Sequence, residues 1–219
     1  MKLEPICNDE SDRDLFERMF CDPIHMKDLG GAQPREKVRL MHLIAVSLVH
    51  LTLLLLGMSF ISSPPSFQVG SILAKQVSCM EQGKGWIYRI VPEEEDLKAL
   101  VDCNPEERAT FSKGVGTVCV WEGYWEEHSV PIVEMGWGVV PRYQGRGFGT
   151  QAVRLLLQMV EHDTERRWGS VIHAFTSLNN APSNSLCRKC SFRLVGESTV
   201  DYEGCPLISN HYEYDVKYL

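Results

Sequence analysis

Positive charge is scarce in this chain. Its 219 residues include 22 lysines and arginines against 29 aspartates and glutamates, a formal net charge of −7 at pH 7. A nucleic-acid-binding domain carries a basic patch or stripe, so this balance argues against a nucleic-acid partner. An acidic surface suits a cationic ligand such as an amine, although it also simply favours solubility.

The cysteines lack the paired spacing of a zinc ribbon. Of the eight, Cys187 and Cys190 form a lone Cys-x-x-Cys with no second pair at a suitable distance. Two thiolates fill only half of a tetrahedral zinc shell, so we expect no metal and free thiols in a reducing compartment. Residues 1–20 are charged throughout and show no secretory signal, so we expect a cytoplasmic protein.

Length and composition predict one globular domain. The hydrophobic fraction is 44% and the charged fraction 23%, both ordinary values, and 219 residues can bury one core. Apolar periodicity predicts an α/β fold with helices packed on a sheet. The predicted strands lie at 1–6, 86–91, 115–120, 132–140, 170–176, 192–197 and 211–217, and two helices at 149–162 and 181–189. Residues 9–12 offer an acidic N-cap for a further helix that runs through Leu15, Phe16, Met19 and Phe20.

A glycine-rich loop, Gln144 to Gly149, joins a predicted strand to a predicted helix. Glycine lets the backbone turn tightly and approach a ligand, and the helix N-terminus favours a phosphate. Arg146 can add a charge-assisted contact. The loop lacks the Lys-Ser/Thr of a nucleoside-triphosphate loop and the third glycine of a dinucleotide-binding fold. Alone, it indicates a phosphate-accepting turn or a merely structural one.

Motifs before and after this loop, taken together with it, resemble the pattern of a known protein family. Residues 139–150 resemble the acetyl-CoA signature Q/R-x-x-G-x-G/A of the GNAT superfamily of N-acetyltransferases. Residues 180–192 are similar to its Asn…Ser…Gly-Phe segment. Residues 123–126, 134–137 and 21–31 resemble a subgroup close to the ribosomal-protein-alanine and small-amine acetyltransferases. The resemblance implies a GNAT fold, an α/β architecture with a mixed central sheet of about six or seven strands and flanking helices.

The resemblance also implies acetyl-CoA as co-substrate, without a metal. It places the pantetheine arm against the backbone of Val139 and Val140. Asn180 matches the position that hydrogen-bonds the pantetheine, and Ser183 lies near the thioester. The pyrophosphate takes backbone N–H groups from the loop and the first helical turn, which comprise Gln144, Gly145, Arg146, Gly147, Phe148, Gly149 and Thr150.

In this family a neutral amine attacks the thioester carbonyl directly, which requires a base, an oxyanion donor and an acid for the thiolate. Glu134 is the candidate base, because it lies in an otherwise apolar strand where burial would raise its pKa. The alternative is that Glu134 forms a structural ion pair. A backbone N–H near Val139 is the oxyanion donor that the resemblance implies.

The acid is less defined. Where many relatives have a tyrosine, this chain has Cys187, and where they have the glycine of the Gly-Phe pair it has Ser191. Cys187 could protonate the thiolate, or it could simply belong to the core. Ser183 and water are the alternatives.

Aromatic residues cluster in the predicted strands. Some could line an amine pocket through cation–π contacts, although core packing is the default. His173 is expected to be a structural histidine. The aromatic residues in question are Trp86, Tyr88, Trp121, Tyr124, Trp125 and Trp137.

An apolar segment at 38–68 has no counterpart in the family pattern, which covers about 1–37 and 69–219. Its stretch 40–61 lacks Lys, Arg, Asp and Glu and is long enough to cross a bilayer. A membrane anchor is disfavoured, because it would separate residues 1–37 from the rest of their own domain. The other interpretations are an extra buried or dimer-contact helix and a retained intron, whose 31 codons keep the reading frame.

We therefore expect one N-acetyltransferase domain over 1–219, acting on a primary amine of a small molecule or a protein N-terminus. The competing interpretation is an acyl-CoA-binding module with little or no catalytic activity. The expected partner is a small-molecule or peptide amine, with no nucleic acid. A homodimer is possible.

Overall fold

The computed structural model describes most of the chain. The apolar segment at 38–68 lies outside the described part, so its three interpretations stay predictions. Among the described helices, none is long and apolar enough to cross a membrane. The described residues are 1–27, 31–33, 72–98, 109–111, 113–125, 128–202 and 205–219.

Helices and strands follow one another along the described residues. The strands are β1 (Lys2–Pro5), β2 (Gly85–Val91), β3 (Gly116–Trp125), β4 (Val130–Val139), β5 (Val171–Ser177), β6 (Arg193–Tyr202) and β7 (Cys205–Asp215). The helices are α1 (Glu10–Phe20), α2 (Ile72–Glu81), α3 (Glu94–Lys98), α4 (Phe148–Glu161) and α5 (Ala181–Lys189). A 3₁₀ turn, Pro141–Tyr143, precedes the glycine-rich loop.

The seven strands form one sheet in the order β1-β2-β3-β4-β5-β7-β6. Neighbouring strands are antiparallel, with the exception of β4 and β5, which are parallel. This mixed sheet confirms the predicted α/β fold class and its number of strands.

Side-chain alternation divides β3 and β4 between two layers of helices. On one face Val118, Val120 and Met135 are buried in the core together with the apolar stripe of α4. On the other face lies α1, because a Cβ added to Gly138 would come within 2.5 Å of the Met19 methyl group. Glu134 is on this second face, opposite Trp121 of β3.

Local sequence signals account for the start of α1. Asp9 caps the helix by accepting a hydrogen bond from the Asp12 N–H at 2.8 Å, and Asp12 accepts one from the Asp9 N–H at 3.3 Å. This reciprocal capping box satisfies two N–H groups that a helix start otherwise leaves unpaired. The predicted acidic cap is confirmed.

Several boundaries differ from the prediction. β3 continues to Trp125, five residues beyond the predicted end, because its second half pairs with 130–134 of β4 in a hairpin. The hairpin of β6 and β7 is likewise longer than predicted. Residue periodicity did not predict α2. Backbone pairing with a partner strand is non-local, so propensity alone does not reveal how far a strand extends.

Candidate active site

The glycine-rich loop leaves the end of β4 and opens directly into α4. Residues 144–147 are exposed, whereas Phe148 is buried and anchors the start of the helix in the core. Gly145 and Gly147 have φ angles of 73° and 88°. Side chains other than glycine rarely adopt this left-handed region, so both glycines are required by the shape of the turn. No atom lies within 4 Å of the position that a Cβ on Gly145 would occupy.

The backbone N–H groups of 145–150 belong to this exposed loop and to the first turn of α4. Within the described residues no group accepts a hydrogen bond from them, and the helical pattern resumes with the Gln151 N–H donating to the Gly147 carbonyl at 3.0 Å. Unpaired N–H groups at a helix N-terminus form a site for an anion, and the helix dipole adds to the attraction. The exposed Arg146 side chain lies in the same loop.

β4 and β5 separate beside the loop. In the described structure these parallel strands are paired at a single position, Glu134 with His173. Beyond Glu134, as far as the end of β4 at Val139, no residue of β5 pairs with the β4 backbone in the described structure. The Val139 carbonyl accepts a hydrogen bond from Gln144 Nε2 at 2.9 Å, and the Val140 N–H donates to the Val115 carbonyl at 2.9 Å. An extended chain can therefore lie between the two strands.

The N-terminus of α5 lies at the end of β5, on the other side of this gap. Asn180 caps the helix by accepting a hydrogen bond from the Ser183 N–H at 3.1 Å, so Asn180 and Ser183 are held together. The buried Asn184 ties this turn to the sheet. Its Oδ1 accepts hydrogen bonds from Thr176 Oγ1 at 2.7 Å, Asn210 Nδ2 at 2.7 Å and the Tyr212 hydroxyl at 3.0 Å.

Glu134 lies where β4 and β5 begin to part. Its carboxylate is beside Gly123 and Trp121, since a Cβ on Gly123 would be 3.3 Å from Glu134 Oε2 and 3.5 Å from Trp121 Nε1. Burial raises the pKa of Glu134 to about 7. None of the described lysines, arginines and histidines forms an ion pair with it within 4.0 Å. The structural ion pair considered above is thus absent from the described residues.

Comparison with known proteins identifies the fold. The family model described as an acetyltransferase (GNAT) domain matches residues 62–193, more than half of the chain. The chain belongs to the GNAT family. It is therefore an acyltransferase by family. No curated protein matches it significantly in sequence.

Solved structures show the same GNAT fold. An acetyltransferase of the GNAT family from Bacillus anthracis is 17% identical, with a TM-score of 0.54 over 99% of this chain and 98% of that one. An enzyme from Salmonella typhimurium that modifies the N-terminal serine of ribosomal protein L7/L12 is 14% identical, with a TM-score of 0.56 over 98% and 94%. An aminoglycoside acetyltransferase in complex with coenzyme A is 14% identical, with a TM-score of 0.57 over 98% and 94%.

The structure brings the GNAT motif residues to one gap in the sheet. The loop 144–150, the end of β4 at Val139 and Val140, and the α5 cap with Asn180 and Ser183 surround it. Gly149 lies against both α5 and β4, because a Cβ there would come within 3.1 Å of Leu186 on α5 and 3.5 Å of Val139. A side chain at this position would press on Leu186, so glycine favours the close packing of α4 against α5 and β4.

Cys187 is placed differently from these residues. Its side chain is fully buried in the core, and burial raises the pKa of its thiol to about 12. At neutral pH the thiol stays protonated, yet in this conformation it does not reach the surface of the gap. Ser183, by contrast, is partly exposed at the N-terminus of α5.

His25 is a site residue that sequence reasoning missed. Its ring lies against the end of β4, where a Cβ on Gly138 would be 2.9 Å from His25 Cε1, and it hydrogen-bonds the Val139 backbone. Burial lowers the pKa of His25, so the imidazole is neutral at pH 7. The adjacent small residue Gly138 was the sequence signal that a side chain crosses the strand here.

The aromatic residues of the predicted strands divide between the two faces. Trp121 and Trp125 lie on the face of Glu134, whereas Trp86, Tyr88 and Trp137 lie on the opposite face, packed against the core below α4. Trp125 also contacts the rings of a pair of histidines, His173 and His211. The aromatic residues therefore do not form one cluster. Of these, only Trp121 and Trp125 are on the face that carries Glu134.

Proposed function

We propose that this chain transfers the acetyl group of acetyl-CoA directly to a primary amine, carried by a small molecule or a protein N-terminus. The observation that carries the proposal is the gap between β4 and β5, which opens at Glu134 and leads to the unpaired N–H groups of 145–150. An extended pantetheine arm fits the gap, and a pyrophosphate fits its far end. Residues 1–219 would act as a single domain.

Each predicted cofactor residue has a position suited to this role. Gly145, Gly147 and Gly149 keep side chains out of the path, and the N–H groups around them would hold the pyrophosphate. Arg146 would add a charged contact from solvent. The backbone of Val139 and Val140 would pair with the pantetheine amides on one side, with the cofactor displacing the Gln144 side chain from the Val139 carbonyl, and Asn180 would bind them on the other.

The chemistry would begin at Glu134. A carboxylate with a pKa of about 7 can accept a proton from an ammonium group at neutral pH, which leaves the amine free to attack the thioester carbonyl. A backbone N–H near Val139 would stabilise the resulting oxyanion. The departing thiolate needs a proton, and the partly exposed Ser183 is better placed to supply it than the fully buried Cys187.

The acceptor amine would approach from the face that carries Glu134. Trp121 lies beside the carboxylate, and Trp125 lies farther along the same strand and face. Both could hold a cationic amine by cation–π attraction, worth about 0.5–2 kcal/mol. The acceptors named for the two solved structures above, an aminoglycoside and a protein N-terminal serine, define two classes worth testing.

An acetyl-CoA turnover screen tests the proposal. Free-thiol release would be followed with aminoglycosides, small amines and peptides with different N-terminal residues, using wild type, Glu134→Gln and the control Glu122→Gln. Glu122 is exposed on the opposite face of the same hairpin. We expect turnover with one class, retained by Glu122→Gln and lost in Glu134→Gln. If wild type binds CoA but turns over none of the amines, and Glu134→Gln binds CoA equally well, the result would instead favour the acyl-CoA-binding module.

Two further properties belong to the same proposal. We expect no nucleic-acid partner, since a net charge of −7 argues against the basic patch that such a partner requires. The possible homodimer would be tested by light scattering coupled to size-exclusion chromatography at several protein concentrations.

A further inference from the structure

We propose that His173, His211 and Glu213 form a binding site for a divalent transition-metal ion such as Zn²⁺. The three residues lie on β5 and β7, on the sheet face that also carries Glu134. The cysteine spacing led us to expect no metal. This site uses none of the cysteines, and its ligands become neighbours only in the folded sheet. Metal binding here does not depend on acetyl transfer.

The distances between the three ligand atoms suit one ion. His173 Nδ1 is 2.8 Å from His211 Nε2, and Glu213 Oε1 is 4.0 Å from each of these nitrogens. A triangle with these sides has a circumradius of about 2.1 Å, the length of a typical Zn–N or Zn–O bond. A single ion can therefore lie at bonding distance from all three atoms, once both rings turn so that their lone pairs face the ion instead of each other.

The donor types indicate which metals bind. Two imidazoles and one carboxylate form a known zinc ligand set, in which water takes the fourth position. Imidazole nitrogen suits Zn²⁺, Cu²⁺ and Ni²⁺, whereas Mg²⁺ and Ca²⁺ prefer shells of oxygen. We therefore expect the site to discriminate against the two alkaline-earth ions.

The sheet holds the ligands in place before any ion binds. His173 and Glu213 are cross-strand partners, and His211 lies two residues along β7, opposite Phe175. Phe175 stacks on the His211 ring with centroids 4.8 Å apart, and Trp125 packs edge-on at 4.5 Å. These contacts leave little conformational entropy to lose on binding, which favours affinity.

Glu213 is oriented by a second partner. Arg193 on β6 hydrogen-bonds Glu213 Oε2, which leaves Oε1 turned towards the two imidazoles. Outer partners of this kind are typical of metal sites, where they orient the ligand oxygen. The Arg193 side chain is largely exposed, so it can move aside if the bound ion repels it.

Binding would replace the hydrogen bond between the two histidines. In that bond one neutral ring donates its N–H and the other accepts with its lone pair. Both His173 Nδ1 and His211 Nε2 must present a lone pair to the ion. The ring that donates the hydrogen bond therefore changes tautomer, so that its hydrogen is carried by its other nitrogen. Each ring stays neutral, so the imidazoles release no proton and the Glu213 carboxylate supplies the single negative charge.

Metal titration of the chelator-treated full chain tests the site. Zn²⁺ affinity and stoichiometry would be measured by calorimetry for wild type, His173→Gln, Glu213→Gln and the control His162→Gln. His162 is an exposed histidine at the end of α4, away from the sheet face. We expect one equivalent bound by wild type and His162→Gln, and affinity at least about 100-fold weaker in the other two variants. Circular dichroism with chelator present would verify that each variant is folded.

Co²⁺ identifies the donor atoms independently. We expect visible d–d bands without the near-ultraviolet charge-transfer band of a cobalt–thiolate bond, which would indicate the cysteines instead. The wild-type Tm should rise by about 5 °C or more when free Zn²⁺ exceeds Kd a hundredfold, and Mg²⁺ should have no effect. A thiolate band, unchanged affinity in His173→Gln and Glu213→Gln, or no Tm response in wild type would each overturn the proposal.

Discussion

Glu134 shows how one residue's environment determines its chemistry. It lies in a strand between apolar neighbours, with Trp121 and Gly123 against its carboxylate and no counter-ion among the described residues. Water is largely displaced from it, so the charged form is disfavoured and the pKa rises to about 7. A general base works best with its pKa near the working pH.

Replacement of this base should remove catalysis and not cofactor binding. We expect Glu134→Gln to lower kcat by about 10²–10⁴-fold while Kd for CoA stays unchanged. In wild type, kcat/KM should rise with pH as Glu134 loses its proton near pH 7, and the variant should lack this inflection. Steady-state rates between pH 5.5 and 9 measure both effects. Equal pH profiles for wild type and variant would contradict the role of Glu134.

The same burial should cost stability at high pH. The pKa of Glu134 is raised in the folded state, so the folded chain keeps a proton that the unfolded chain has lost between about pH 4.5 and pH 7. Stability therefore falls as pH rises through this window. We expect Glu134→Gln to be more stable than wild type by about 3 kcal/mol at pH 8, and equal to it near pH 4.5. Denaturant titrations at both pH values test this, with Glu122→Gln on the opposite face of the hairpin as the control.

Among the helices and strands, α5 depends on contacts that its own sequence does not show. Asn184 joins the helix to β5 and β7 by accepting hydrogen bonds from the buried Thr176 and Tyr212 and from the partly buried Asn210. Its side-chain amide also donates to the Ser177 and Asn180 carbonyls. This one side chain therefore sets the position of the helix cap, and with it Asn180 and Ser183.

Loss of Asn184 should affect both stability and cofactor affinity. We expect Asn184→Ala to destabilise the chain by about 2–4 kcal/mol, since it leaves several buried donors without an acceptor, and to weaken CoA binding because the α5 cap shifts. Ser185→Ala, on the same helix, is the control. Thermal denaturation and CoA titration of both variants measure the effects. A destabilised Asn184→Ala with unchanged CoA affinity would show that the residue has no positioning role.

The end of α5 explains why relatives have a glycine where this chain has Ser191. The Phe192 N–H donates to the Cys187 carbonyl and the Ser191 N–H to the Arg188 carbonyl, the hydrogen bonds of a Schellman motif. Ser191 has a φ angle of 65°, in the left-handed region that favours glycine. The helix thus ends with strain at one residue.

Glycine at this position should relieve the strain. We expect Ser191→Gly to stabilise the chain by about 1 kcal/mol. The same exchange within the helix, Ser185→Gly, should destabilise it by about 0.5 kcal/mol, because glycine is a poorer helix former. Chemical denaturation of both variants provides the comparison. Destabilisation by both exchanges would contradict the strain at Ser191.

Across the whole molecule, the N-terminal residues belong to the same sheet as the rest. β1 pairs with β2, α1 packs against β4 near Gly138, and the N-terminal ammonium group pairs with Glu93 and Asp96. These contacts connect 1–27 with residues that follow the apolar segment. They support the expectation that 38–68 is no membrane anchor, since an anchor would place β1 and β2 on opposite sides of a bilayer.

Removal of the apolar segment should therefore leave the domain intact. We expect a variant lacking residues 38–68 to unfold in one cooperative transition, to gain Tm with CoA and to retain turnover comparable to the full chain. Calorimetry and thiol release, run on both proteins, test this. Aggregation of the variant, or loss of CoA binding, would show that the segment is part of the fold. Transcripts that join residue 37 directly to residue 69 would identify it as an intron.

Much of the site was predictable from sequence, because its signals are local. The loop 144–149 with the helix after it, the Asn180 cap and the acidic start of α1 depend on residues close together in the chain. Glu134 was predictable as the one charged residue in its strand. The histidine pair, the His25 contact and the Asn184 network were not, because their partners lie far apart in sequence.

The sequence by itself determined the α/β class, the phosphate-accepting turn and the GNAT resemblance, since glycine positions, caps and apolar periodicity act over a few residues. Only the tertiary structure decided that β4 and β5 part at Glu134, that Cys187 is closed off in the core while Ser183 is not, and that two histidines meet beside a glutamate. Strand order, burial and register bring distant residues together, and these follow from the packing of the whole chain.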